Sequence, residues 1–250
     1  SQTLNANVLM NSLTLFAGGS LGLTSGALPD RTQLSLNSGG LLALAGVENL
    51  NVPLLSAGAT GSGTLDIQVV SGGSLGLSGR IISTGGVVKA GDGVLQLNTQ
   101  QYFTGGSGLV INGGTVRLAS GANTLAVLPG VATPTLLDVR VNGTSTLDLN
   151  GSNQAIGQLL GADQLPGMAG TVTSATPAVL TISTPTSTTF GGVFGGSLSV
   201  TKQGGNTLTL SGASSTAGTI LVSGGILALK DGGTLSAGGG FTVRQGGTLV

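Results

Sequence analysis

Apolar and polar residues alternate along most of this chain, in short runs. Leu95-Gln96-Leu97, Leu147-Asp148-Leu149 and Leu208-Thr209-Leu210 each put leucines on one side and a polar residue on the other. That period of two marks a strand with one buried face. Helical spacing is not sustained. Its best stretch, Gln154 to Leu160 (QAIGQLL), is broken by Gly157. Gly-Gly pairs open many of the strands, as in Gly18-Gly19-Ser20-Leu21-Gly22-Leu23, Gly39-Gly40-Leu41-Leu42-Ala43-Leu44 and Gly72-Gly73-Ser74-Leu75-Gly76-Leu77. Further copies begin at Gly113, Gly195 and Gly224, with degenerate ones at Gly232 and Gly246. Such pairs supply a positive φ or a close backbone approach at a turn.

The longest phrase, Val87 to Leu118, is restated at Ser199 to Leu229. Asn112-Gly113, Asn142-Gly143, Asn150-Gly151 and Asp231-Gly232 are hairpin-type dipeptides. The strong phrases are too far apart for a simple meander, however. Tandem copies presenting one face favour parallel stacking, each coil pairing with the next. The expected fold is all-β, a parallel β-helix (β-solenoid), continuous over residues 1–250. Irregular coils fill 1–86, a repeat copy 87–118, coils with longer turns 119–198, a second copy 199–229 and partial coils 230–250. The irregular longer turns centre on 131–194, which holds Pro134, Pro166, Pro177 and Pro185. At about 20–25 residues per coil, roughly ten to twelve coils stacked at about 4.8 Å make a rod on the order of 50–60 Å long.

Composition sharpens this picture. Glycine contributes 48 residues and charged residues only 6%, against roughly 7% Gly and about 25% charged in average proteins. Collagen fails because Gly has no period of three. Disorder is disfavoured by the 39% hydrophobic content in ordered alternation. Net charge is zero and no basic cluster exists, so nucleic acid is not an expected partner. There is no Cys, hence no disulfide framework or thiolate metal site, which suits an exported chain. No apolar run approaches the roughly 20 residues of a membrane span. The closing Gly246-Gly247-Thr248-Leu249-Val250 reads as a repeat cut partway, so a longer parent chain is expected.

The repeated phrases resemble a known family. Lys89-Ala90-Gly91-Asp92-Gly93-Val94-Leu95-Gln96-Leu97, then Tyr102-Phe103-Thr104-Gly105-Gly106 and Gly113-Gly114-Thr115-Val116-Arg117-Leu118, resemble the passenger-associated repeat of bacterial autotransporters. The second copy runs Lys202-Gln203-Gly204-Gly205-Asn206-Thr207-Leu208-Thr209-Leu210, lacks the aromatic at Ser215-Thr216-Ala217-Gly218, and closes with Gly224-Gly225-Ile226-Leu227-Ala228-Leu229. Leu147 to Gly157 and Thr188 to Gly196 are similar to linking phrases of such passengers. The resemblance implies a right-handed, secreted β-helix on the outer surface of a Gram-negative bacterium, normally followed by a translocating β-barrel. It is not specific for an activity.

Some β-helices cleave polysaccharides, which takes clustered carboxylates with a base nearby. The carboxylates here are Asp30, Glu48, Asp66, Asp92, Asp138, Asp148, Asp163 and Asp231, all well separated in sequence. Asp138 and Asp148 with Arg140 are the closest candidate set, and solvent-facing strand positions are the simpler account of them. Asp92 could suggest a calcium loop, but Gly205 replaces it in the second copy, so a turn role is expected. Lys89 and Lys202 occupy equivalent repeat positions and are expected at coil corners. Phe16, Tyr102, Phe103, Phe190, Phe194 and Phe241 could form a sugar platform, with core packing favoured. Without His no Ser-His-Asp nucleophile exists.

No catalytic, cofactor-binding or metal-ligating set is therefore assigned. The expected function is a structural and adhesive stalk or fibre, not an enzyme, that self-associates end to end or laterally or stacks on neighbouring coils of a longer chain. Host or cell-surface glycans are a further expected partner. The alternative is a carbohydrate-active enzyme or glycan-binding module on the same scaffold.

Overall fold

In the computed structural model, residues 2–4, 6–23, 32–58, 60–104, 108–125, 136–161, 165 and 167–250 are described. They form an all-β parallel solenoid of about 10 turns. The sequence period of two becomes strands whose inner side chains are sealed and whose outer ones meet solvent. Gln154–Ile156 and Leu159–Leu160, the best helical stretch by sequence, are two strands separated by Gly157 and Gln158.

The coil has three faces, visited in the order A, B, C. Face A carries Gly46–Leu50, Gly73–Leu77, Val94–Leu97, Thr115–Leu118 and Thr146–Asp148, then the first part of Thr171–Ile182. Face B carries Leu54–Ala57 and Arg80–Ile82, and later Gln154–Ile156, the second part of Thr171–Ile182 and Ile220–Val222. Face C carries Leu65–Val69, Val87–Ala90, Leu109–Ile111, Val139–Val141 and Leu159–Leu160, and beyond them Thr188–Phe190, Thr207–Leu210 and Gly225–Leu229. Thr171–Ile182 runs through a corner, and its register slips between Ser174 and Ala178 where it turns from A to B. Partners in successive coils lie 20 residues apart at Ile81 and Gln101 and 31 apart at Arg117 and Asp148, so loops of different length are accommodated without breaking the stack.

Stacking places like residues over like. On face A, Leu50, Leu77, Leu97 and Leu118 form one inner column, each at most 1% exposed. A single hydrophobic core runs along the axis from Leu15 to Leu227.

Face B is thin between Arg80–Ile82 and Gln154–Ile156, where isolated pairing such as Gln101 with Leu125 replaces strands. Two buried glutamines fill the gap. Gln101 Oε1 accepts from the Ile81 amide at 2.8 Å while its Nε2 donates to the Gly79 carbonyl at 3.1 Å. Gln154 repeats this with Leu125, accepting from its amide at 3.0 Å and donating to its carbonyl at 2.8 Å. A side-chain amide has one acceptor and two donors, so each Gln stands in for the missing peptide group.

Candidate functional site

The most specific side-chain geometry belongs to Lys89 and Lys202. Lys89 lies in an inner column of face C between Ile67 and Ile111. Lys202 lies in an inner column of face B between Ile182 and Val222. Both are fully buried. The methylene stem of each packs in the core while the ammonium turns to the corner backbone. Lys89 Nζ donates to the carbonyls of Ala90 (3.0 Å), Gly91 (2.6 Å) and Gly113 (2.9 Å). Lys202 Nζ donates to Gln203 (2.8 Å), Gly204 (3.0 Å) and Gly224 (2.9 Å). Each ammonium thus uses its three donors on its own corner and on the first glycine of the Gly-Gly pair one coil later.

Burial pushes the Lys89 ammonium down to about 8, with exposed Asp92 pulling weakly the other way. Lys202 is lowered too, by burial. The two clamps occupy different corners, Lys89 between faces C and A and Lys202 between B and C. The repeat phrase is therefore reused one face out of step.

The candidate carboxylates do not converge. Asp148 faces outward on face A and pairs with Arg117, Nε to Oδ2 at 2.9 Å. Asp138 sits just before the face C strand Val139–Val141, where Oδ1 accepts from the Gln158 amide at 2.8 Å and Oδ2 from Gln158 Nε2 at 3.1 Å. Among the described residues no three acidic side chains gather to hold a metal. Asp30 and Asp163 lie outside the described residues, as do Gly105-Gly106, Pro134 and Pro166. The aromatics do not share a surface either. Phe103, Phe190 and Phe194 are core, the last two with ring centroids 5.8 Å apart. Phe16 and Phe241 are exposed. Tyr102 lies under the Arg80 guanidinium, 5.0 Å from ring centroid to Cζ, with its hydroxyl donating to Gln100 Oε1 at 2.7 Å.

Two features were not expected. Glu48 occupies an inner slot of face A in register with Leu75, fully buried, and neither carboxylate oxygen has a hydrogen-bond partner. Burial raises its carboxyl above the ordinary 4.5, against a weaker opposite pull from the Ser74 amide and its own. The second feature is a cleft of about 410 Å³ on the outside of face C, lined by Arg140, Gln158, Gly161, Ser187, Thr189 and Thr209 among others. It opens where the nine-stranded ladder ends at Leu159–Leu160 and the four-stranded one starts at Thr188–Phe190. Searches of the chain against protein-family models, curated proteins and solved structures returned no match.

Proposed function

We infer that the chain is a structural module, a rigid rod of an extracellular, surface-displayed bacterial protein that spaces or presents neighbouring segments and associates with further coils. The observation that supports this most is the axial continuity of the core, whose columns tie each coil to the next, with a lysine clamp added at two of the corners. A solenoid distributes stability over nearest-neighbour coil contacts, which suits a mechanical element. The likeness of its two repeat phrases to autotransporter passengers supports the location and the adhesive role.

Small-angle scattering with sedimentation over a concentration series tests the reading. A rod gives an asymmetric pair-distance distribution reaching about 50 Å along its axis, and coil-on-coil association raises the mass with concentration. A globular profile together with a concentration-independent mass sinks the self-associating rod. The cleft on face C favours a second role, in ligand binding.

A further inference from the structure

Arg140, Gln158, Ser187, Thr189 and Thr209 meet at the only interruption between consecutive coils of face C among the described residues. The groove has chemistry at both ends. Arg140 has no carboxylate partner among the described residues, and its one hydrogen bond is a long contact from Nη1 to the Gly161 carbonyl at 3.4 Å. Among the described residues, its other four donors meet no acceptor and face the cleft as ligand-binding groups. At the other end Thr209, between core residues Leu208 and Leu210, faces outward yet is only 9% exposed. Its hydroxyl has no hydrogen-bond partner among the described residues, and it lines the cleft.

Between these ends the polar groups are fixed. Gln158 is held by Asp138 Oδ2 at 3.1 Å and by the Thr186 hydroxyl at 2.9 Å. Ser187 Oγ accepts from the Thr207 amide at 3.2 Å, leaving its proton to donate. Thr189 and Thr209 are ladder partners, so they sit about 4.8 Å apart along the rod axis, close to the length of one pyranose ring. Among the described residues, Asp138 lies beside this surface, and its two oxygens are turned onto Gln158.

We propose that this groove binds an acidic oligosaccharide lying along the rod axis. A sugar carboxylate engages the Arg140 guanidinium as a bidentate pair, and the hydroxyls of the next ring are read by Thr189 and Thr209. A neutral glycan would leave the guanidinium unused. An acidic peptide would supply carboxylates but no hydroxyls for the threonine pair. The cleft volume lies within the range of small-ligand sites. The proposal does not depend on whether the rod self-associates.

Titration calorimetry with three probes tests it on the intact chain: trigalacturonate, a hyaluronate tetrasaccharide and sialyllactose. At least one binds, and its affinity falls roughly tenfold or more in Arg140→Gln, in line with loss of a charged contact. Thr209→Val weakens the same probe while leaving triglutamate unaffected, and Asp148→Asn on face A changes nothing. Circular dichroism melts of each variant show that the fold is retained. The proposal is overturned if none of the three probes binds at millimolar concentration, if Arg140→Gln binds as tightly as the parent, or if triglutamate binds as well as the acidic sugars.

Discussion

Lys89 Nζ donates to the carbonyl of Gly113 at 2.9 Å, across 24 residues of chain. That bond crosses from one coil to the next, so the lysine ties the corner at Gly91 to the corner stacked on it. Truncation to Ala removes three hydrogen bonds and leaves a cavity where the stem lay. Lys89→Ala is expected to lower stability by about 2–4 kcal/mol, whereas Lys89→Met, which keeps the volume, costs less. Urea denaturation of both, with exposed Lys230→Ala as the surface control, measures the difference. A Lys89→Ala loss no larger than that of Lys230→Ala would remove the clamp from the account.

The same lysine makes stability depend on alkaline pH. Its pKa is about 8 in the fold against an ordinary 10.5. Between those values the unfolded chain binds more protons than the native one, so stability rises with pH across that window. Lys202, also lowered by burial, adds in the same direction. The slope from one group is at most about 1.4 kcal/mol per pH unit. Denaturation midpoints measured from pH 7.5 to 10.5 should climb, and the climb should shrink in Lys89→Met. An unchanged slope in that variant would mean that the ammonium is not desolvated.

Glu48 pulls the other way. Its folded pKa is raised above 4.5, so the native state holds a proton that the unfolded chain has released. Stability is highest below 4.5 and falls as pH rises through the folded pKa. Because the slot is in register with Leu75 and neither oxygen has a partner, Glu48→Leu is expected to stabilise by about 1–3 kcal/mol at neutral pH. The variant should also flatten the pH dependence on the acid side. A destabilised Glu48→Leu would show that the carboxylate has a partner that the fold alone does not reveal.

Much of this was open to sequence reasoning, for a physical reason. Alternation determines which side of a strand is buried, and stacking repeats that choice, so Leu95, Leu97, Val116 and Leu118 fall inside as the pattern of two requires. The structural role of Lys89 and Lys202 follows from their equivalent places in the repeat. Their burial does not, because a lysine in a strand is usually outside, and only the register with Ile67 and Ile182 shows otherwise. The shift of the phrase by one face was equally hidden, since all three faces share the same alternation. Glu48 did leave a signal. Gly46-Val47-Glu48-Asn49-Leu50 aligns with Gly73-Ser74-Leu75-Gly76-Leu77 and puts Glu where Leu belongs. The cleft on face C left almost none. Thr189 and Thr209 fill ordinary polar slots, and only the broken ladder makes those slots a groove.

The glutamine surrogates on face B give a further test. Gln101→Leu puts an apolar side chain of similar size in its place and leaves the Ile81 amide and Gly79 carbonyl without their partner. A buried polar group left unpaired costs about 1–3 kcal/mol, so the loss should lie in that range. Hydrogen exchange at the Ile81 amide should accelerate beyond what the global change accounts for. If exchange there is unaltered, the side-chain amide is not what completes the ladder.

Adjacent glycines in the second corner separate conformation from composition. Gly204 has φ +76°, and a Cβ built on it would run into the Ser183 carbonyl oxygen in the coil below, whereas Gly205 has no positive φ and open space around its Cβ position. A β-carbon at Gly204 therefore meets both a backbone preference and a steric wall, and the Gly204 carbonyl is also one of the three that Lys202 holds. Gly204→Ala is expected to cost more than about 2 kcal/mol, while Gly205→Ala should be neutral or stabilise by up to about 1 kcal/mol through the unfolded chain. Thermal melts of the two variants decide between these outcomes. Similar losses in both would mean that the Gly-Gly pair serves flexibility in general and not one left-handed corner beneath the next coil.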